Sequence, residues 1–320
     1  MQNLANCPAC GASANKAKVA RRLHSHHGRN TIDTQLVECP CAHVFTNPQP
    51  SWDELAPFYG SDYRVFTKAL PDAAVIDKWI STRSFNGRFN HMKVVRGGRY
   101  LDVGCGLGTM VAAMSRLGMQ AHGVEPSPVA AQKAREAGLD IFEGVLEDAK
   151  YDSESFDSIS MFHVLEHTHD PVGLLRECRR ILKPGGELTV GVPNYNSIVF
   201  RLVGAGWIGL HQPYHLQHFR PASMRHTADR AGLRIAALET ESLVDHVEGE
   251  LVSWLRRRFF IPARLTAATK AARPFAARLA SFGNNSGRGE AIVARMEKVA
   301  DLDLARGFGT TQTSGGRVQA

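Results

Sequence analysis

The sequence has no apolar run long enough to carry it across a bilayer. Its most apolar window, Ser197 to Leu210, is short and contains Arg201. Met1 to Ala9 is polar, so no signal peptide is expected and the protein reads as cytoplasmic. Cysteine is scarce, with six in 320 residues. In a reducing compartment so few thiols point to metal ligands or packing residues rather than disulfides. No internal repeat is evident. Negative charge is in deficit, with 31 acidic against 38 basic residues and a net charge of +7. That excess favours an anionic partner, whether nucleic acid, a phosphorylated metabolite or an acidic membrane surface, without choosing among them.

Hydrophobic residues make up 43% of the chain, ordinary for a protein that buries a core. Short strands are predicted at Arg99 to Val103, Gln120 to Val124, Asp140 to Phe142, Phe156 to Phe162 and Glu187 to Val192. Helices are predicted between them, at Leu107 to Leu117, Pro128 to Ala137 and Asp170 to Leu182. Asp170-Pro171 supplies a cap and a first-turn proline, and Lys183-Pro184-Gly185-Gly186 stops the last helix. Such alternation predicts an α/β fold: a doubly wound, Rossmann-like, mostly parallel sheet with helices on both faces. A further helix is expected over Pro221 to Ala231, with strands at Arg234 to Glu239 and Glu290 to Met296. N-terminal to the core, helices are expected at Asp53 to Tyr63 and Ala73 to Val95.

The turn Leu101-Asp102-Val103-Gly104-Cys105-Gly106-Leu107-Gly108 joins the first core strand to its helix. Its glycines permit a tight turn and close approach of a ligand to the backbone. A dinucleotide site wants its third glycine one residue later. Asp102 would also repel a pyrophosphate and suits a cationic ligand. S-adenosylmethionine (SAM), with its ammonium and sulfonium, is such a ligand. Glu125 closes the next strand, where a carboxylate can accept both ribose hydroxyls.

The segments LDVGCGLG, GVEPS, SFDSISMFHVLEH and ILKPGGELTVGVPN, in this order and spacing, resemble the class I SAM-dependent methyltransferase superfamily over residues 99–195. The resemblance implies a seven-stranded sheet and SAM contacts from Asp102, Gly104, Gly106, Glu125 and Leu146, with Phe162 on the same side. Val145 departs from the pattern, since many relatives carry Asp there for the adenine amino group.

Methyl transfer is an in-line displacement, and a hydroxyl acceptor must also lose a proton, which histidine takes at neutral pH. His163, His167 and His169 follow the fourth strand, and His211, His215 and His218 come later. His163, His167 and His215 are the expected catalytic residues, and His169 reads as a solvated loop residue. His163-x-x-Glu166-His167 also resembles the E-x-x-E-H metal motif of ubiquinone-pathway and small-RNA 2′-O-methyltransferases. A second divalent ion at His163, Glu166 and His167 therefore stays open beside the base role. With a histidine in place of the first Glu and a later one such as His215, it would lean towards zinc or manganese.

Cys7-x-x-Cys10 and Cys39-x-Cys41 form two short turns with the thiol set of a zinc ribbon. A structural zinc is expected there, with His43 as an alternative ligand. Cys105 and Cys178 read as packing residues. This module, followed by Asn47-Pro48-Gln49-Pro50 and a Tyr59–Tyr63 helix, resembles zinc-ribbon methyltransferases that modify sugars, and that helix would lid the SAM pocket. Trp254 to Phe282 contains no acidic residue. It interleaves Arg256, Arg257, Arg258, Arg264, Lys270, Arg273 and Arg278 with Trp254, Phe259, Phe260 and Phe275. It fits an anionic lipid surface, a phosphorylated acceptor, a dimer arm or a solvated helix pair.

The expected organisation is a zinc-ribbon-like module over 1–46, a helical lid and linker over 47–98 and the SAM-binding core over 99–250. A basic helical insertion over 251–285, a last strand over 286–298 and a flexible tail over 299–320 complete it. The favoured function is O-methylation of a sugar, glycolipid or nucleotide-sugar hydroxyl by a histidine base, the partner being a small-molecule, sugar or lipid-linked acceptor, with the enzyme cytoplasmic and a peripheral membrane location left open. RNA methylation, C-methylation of a deoxy-ketosugar and a non-catalytic SAM-binding scaffold are the alternatives. RNA is disfavoured by the lack of evident stacking platforms.

Overall fold

A computed structural model describes residues 1–27, 30–58, 70–82, 88–259 and 272–298. The side chains of 24–27, 30, 56 and 89 fall outside the description. The expected Tyr59–Tyr63 helix, Arg264, Lys270 and the tail lie outside the described residues.

The chain opens with the strands β1 (Lys18–His27), β2 (Asn30–Glu38) and β3 (Val44–Thr46), followed by the helices α1 (Trp52–Leu55) and α2 (Ala73–Ser81). The basic stretch between the cysteine pairs is thus an antiparallel hairpin, with Lys18 opposite Glu38 and Ser25 opposite Ile32. The long helix expected over Ala73 to Val95 ends early. The hydroxyls of Ser81 and Thr82 both donate back to the Lys78 carbonyl, competing with the helical ladder. Among the described residues the next element is a 3-10 turn at Arg88–His91.

The core then runs through β4 (Arg99–Val103), α3 (Thr109–Arg116), β5 (Gln120–Glu125), α4 (Pro128–Glu136), β6 (Asp140–Glu143) and β7 (Phe156–Phe162). It continues with α5 (Pro171–Ile181), β8 (Leu182–Pro193), α6 (Ile198–Val203), β9 (Gln217–His218) and α7 (Pro221–Ala231). The strand β10 (Leu233–Glu241), the helices α8 (Val244–Phe259) and α9 (Ala272–Asn285) and the strand β11 (Ala291–Lys298) complete it. Seven strands pair in the order β10-β11-β8-β7-β4-β5-β6. β4, β5, β6, β7 and β8 are parallel, and β11 runs antiparallel between β8 and β10. This is the α/β doubly wound sheet expected.

Helices cover both faces, so the central strands bury nearly every residue. Ile159, Met161, Leu188, Val190 and Val192 are fully enclosed, together with Leu175 and Ile181 of α5. Asp170 caps α5 by accepting the Gly173 N–H at 2.9 Å, with Pro171 in the first turn. The helical region before the last strand is the α8–α9 pair, packed with Trp207, Leu210 and Val199 in a separate apolar cluster.

The second sheet has the order β1-β2-β3-β9. Its fourth strand comes from the core segment after α6, pairing Val44 with His218 and Phe45 with Gln217. The N-terminal cysteine module and the core therefore share one sheet.

Candidate functional site

β4 and β7 lie side by side, and both end at the same rim. Asp102 is buried on β4 and accepts the Ser160 hydroxyl at 2.5 Å, and Ser160 in turn contacts the Tyr100 hydroxyl. Burial pushes the Asp102 carboxyl up to about 6. The Ser160 bond and the Arg88 guanidinium pull it down, while the Glu125 charge pushes it up.

The following turn is held by Val124, whose carbonyl accepts the N–H groups of Gly104 and Cys105. Gly104, Gly106 and Gly108 have φ of +68°, +55° and +79°. A Cβ on Gly104 would meet Val164 Cγ2 at 2.3 Å, and one on Gly108 would meet Leu139 Cδ1 at 2.4 Å. A Cβ on Gly106 would meet nothing within 4 Å. Packing thus requires Gly104, the backbone conformation favours glycine at all three positions, and Gly106 borders open space where a ligand can approach the backbone.

Glu125 is buried at the end of β5. One carboxylate oxygen accepts the Gly106 N–H at 2.8 Å and the other the Ser127 N–H at 2.9 Å. Burial raises its pKa, and the two amide bonds lower it. The carboxylate is fixed at the open side of the glycine turn, with lone pairs left for two further donors. Leu146 is buried in the 3-10 turn after β6, and Val145 beside it is exposed. Phe162 ends β7, with the Arg88 guanidinium 4.6 Å from its ring centroid.

Arg88 is the residue that sequence reasoning missed. Burial lowers its pKa, and Asp102, Tyr100 and Glu166 oppose that. Its charge therefore feels both the carboxylate of β4 and that of the loop after β7. It lies in a short turn well before the glycines, with no motif around it.

The loop after β7 carries the first histidines. His163 has φ +59° and its Nδ1 lies 3.1 Å from Glu166 Oε1. Glu166 is fully buried, and its Oε2 has no hydrogen-bond partner. His167 Nδ1 lies 3.0 Å from the Tyr214 carbonyl oxygen. His215 Nδ1 lies 2.9 Å from the Gly209 carbonyl, and its Nε2 is 4.0 Å from Glu166 Oε1. A carbonyl only accepts, so Nδ1 carries the hydrogen in both rings and each Nε2 presents a lone pair.

Glu166, His167 and His215 can each offer an atom within 4.8 Å of the others, whereas His163 stands outside this group. Burial lowers the pKa of His167 and His215, and takes His211 to about 4 and His218 to about 3. His218 accepts from the Gln212 amide at 3.0 Å. His169 is not a free loop residue, since its Nε2 lies 2.8 Å from the Pro50 carbonyl and its ring meets Trp52 edge-on.

The four N-terminal cysteines converge. Cys7 Sγ lies 3.8 Å from Cys41 Sγ, Cys10 Sγ lies 3.6 Å from Cys39 Sγ, and all four fall within 4.8 Å of one another. All are free thiols. His43 is outside the cluster, because its Nε2 bonds the Gln217 side chain at 3.0 Å. The module docks on α7, where Arg230 donates to the carbonyls of Pro8 and Ala9.

A family model described as "Methyltransferase domain" matches residues 79–238. The chain belongs to this methyltransferase family. It is 34% identical over 187 residues to the ubiquinone biosynthesis O-methyltransferase of Xanthomonas oryzae pv. oryzae, covering 54% of this chain and 73% of that one. It is 33% identical over 183 residues to the protein of the same name in Xanthomonas campestris pv. campestris, with the same coverage. Among solved structures it is similar to a SAM-dependent methyltransferase from Mesorhizobium loti, at 18% identity and a TM-score of 0.48, over 70% of this chain and all of that one. By its family the chain is a methyltransferase. The family match starts beyond the cysteine module and stops before α8.

Proposed function

We propose that the methyltransferase moves the SAM methyl group onto a hydroxyl of a small-molecule acceptor, with His167 taking the hydroxyl proton. The observation that carries this reading is the locked tautomer of His167. Its Nδ1–H is spent on the Tyr214 carbonyl, so a neutral ring aims its Nε2 lone pair away from that bond. The acceptor oxygen attacks the methyl carbon, the carbon–sulfur bond breaks towards sulfur, and S-adenosylhomocysteine leaves.

On the cofactor side Asp102 takes the ammonium. The Gly104–Gly106 backbone lies along the ligand, Glu125 accepts the ribose hydroxyls, Leu146 flanks the adenine side, and Phe162 backs Arg88 at the methionine end. Arg88 supplies the cation that a methionine carboxylate needs. His163 and His215 assist through Glu166. The relatives named for O-methylation in ubiquinone biosynthesis support a hydroxyl as acceptor, and they bring a phenol-type hydroxyl beside the sugar or glycolipid expected from sequence.

A divalent cation has a chemically suitable donor set in Glu166, His167 and His215, with a buried carboxylate oxygen left unpartnered. Bound there, it would act as a Lewis acid on the acceptor hydroxyl. The four cysteines suit a structural zinc.

A peripheral membrane location is supported by exposed Phe259, Phe275 and Phe282 beside Arg258 and Arg278. Among the described residues no helix is long and apolar enough to cross a membrane. Not all of the basic character is available for lipid, since Arg273 pairs with Asp245 and Glu248 and Arg257 donates to the Gly206 carbonyl.

Radiolabelled SAM offered separately to phenols, nucleotide sugars, extracted lipids and RNA, with and without chelator, tests the assignment. Label in a hydroxyl-bearing small molecule supports it. Label in RNA alone would overturn it, and loss of turnover in chelator would move the proton-transfer role to a bound cation.

A further inference from the structure

The expected histidines and the cysteine module lie far apart in sequence, and hydrogen bonds together with the short strand β3 join them. The Cys39 N–H donates to the His43 carbonyl, fixing the knuckle that leads into β3. The Thr46 N–H donates to the Leu216 carbonyl at 2.9 Å, and the Leu216 N–H donates to the Glu166 carbonyl at 2.8 Å. The main chain thus passes from the thiols to the Glu166-His167 turn through one residue beside β9.

A side-chain route runs parallel to it. His43 is fully buried, stacked on Phe45 and tilted against Phe219. Its Nε2 lies 3.0 Å from Gln217 Oε1. The amide nitrogen of the same Gln217 donates to the Thr168 carbonyl at 2.9 Å, one residue beyond His167. Gln217 is 1% exposed. A primary amide enclosed in this way costs free energy unless both its ends are bonded, and here both are. A carbonyl can only accept, so the amide nitrogen must face Thr168 and the oxygen His43.

We infer that Gln217 is a positioning residue of the acceptor site, tying His43 of the cysteine module to the main chain beside His167. The cysteine module is then part of the machinery that orients the histidine, in addition to being an appended domain. The inference rests on the reading that His167 faces the acceptor. It adds that the main chain beside His167, whose ring is held by Tyr214, is braced through Gln217 by a residue from outside the methyltransferase core.

Two variants of the full chain test it. Gln217→Leu removes both bonds at similar volume. His43→Phe keeps the ring stack and removes the donor. S-adenosylhomocysteine affinity by calorimetry should stay within about twofold in both, because Asp102 and Glu125 are untouched. For the acceptor returned by the labelled-SAM panel, kcat/KM should fall about tenfold or more in each variant, and the double variant should lose little beyond the worse single one. The imidazole Hε1–Cε1 cross-peak of His167, assigned through His167→Gln, should move in Gln217→Leu whether or not an acceptor has been found.

A cross-peak that stays in place, with unchanged acceptor kinetics, would overturn the inference. Additive losses confined to the thermal midpoint would also overturn it, by reducing Gln217 to a packing role. A cross-peak that moves in an enzyme that methylates no hydroxyl would leave the positioning standing and remove the O-methylation reading instead.

Discussion

His167 Nδ1 and the Tyr214 carbonyl oxygen are 3.0 Å apart across 47 residues of sequence. This contact fixes the hydrogen on Nδ1, leaves Nε2 as the basic atom and joins the loop after β7 to the segment before β9. His167→Gln keeps a donor for Tyr214 and removes the base. With His167 as general base, kcat should fall by roughly 10²- to 10⁴-fold while S-adenosylhomocysteine still binds. Steady-state rates with calorimetry on the same preparation check this. Full activity in the variant would sink the base role.

Cofactor affinity should depend on pH through Asp102. Its carboxyl titrates at about 6 because burial disfavours the charge. The anion is the form that attracts a cationic ligand, so affinity holds above that value and falls as pH drops through it. The slope should approach about tenfold per pH unit on the acid side. Asp102→Asn should lie low and flat over the same range. Titration calorimetry from pH 5 to 8 distinguishes the two curves, and an acid slope retained in the asparagine variant would place the titrating group elsewhere.

Gly104 and Gly106 of the turn should fail differently. Gly104→Ala drives a methyl into Val164 and also pays for its positive φ, so it should cost about 2–5 kcal/mol of stability. Gly106→Ala meets open space and pays only for its backbone, about 1–2 kcal/mol. Its larger effect should be on SAM binding, because the added methyl enters the space assigned to the cofactor. Denaturant midpoints and binding isotherms for the pair separate these effects. Normal SAM affinity in Gly106→Ala would move the cofactor away from that face.

The core was legible because its signals are local. A strand running into glycines and Asp170-Pro171 at a helix start each fix their own stretch of chain, whereas Pro184-Gly185-Gly186, expected as a helix stop, lies inside β8 after α5 has ended at Ile181. Glu125 could be placed for the same reason, since a strand end is where a carboxylate meets a ligand. Arg88 was not legible, because its role comes from where a 3-10 turn falls against β4 and β7 and no nearby residue encodes that. The pairing of β3 with β9 was hidden likewise. Gln217 and His218 form a strand of only two residues, chosen by a partner over 170 residues away. Periodicity reports which face of an element is apolar, not what it meets. Among the histidines, the motif spacing put His163 in the same group as Glu166 and His167. The turn at φ +59° instead leaves His163 half-exposed, and His215 takes the inner place.

The convergence of Cys7, Cys10, Cys39 and Cys41 predicts about one zinc per chain. Metal analysis of protein purified without added metal should find it. Stripping it with a strong chelator under reducing conditions should lower the thermal midpoint, because binding to the folded thiol cluster contributes directly to stability. The loss should be uneven. β3 holds β9, and β9 adjoins the Glu166-His167 turn, so amide exchange should rise first at 44–46 and 216–218. β4 and β5 belong to the other sheet, so S-adenosylhomocysteine affinity should persist. Zinc near zero in every preparation, with a midpoint that ignores the chelator, would leave the four thiols as a packed cluster and remove the metal from the account of the fold.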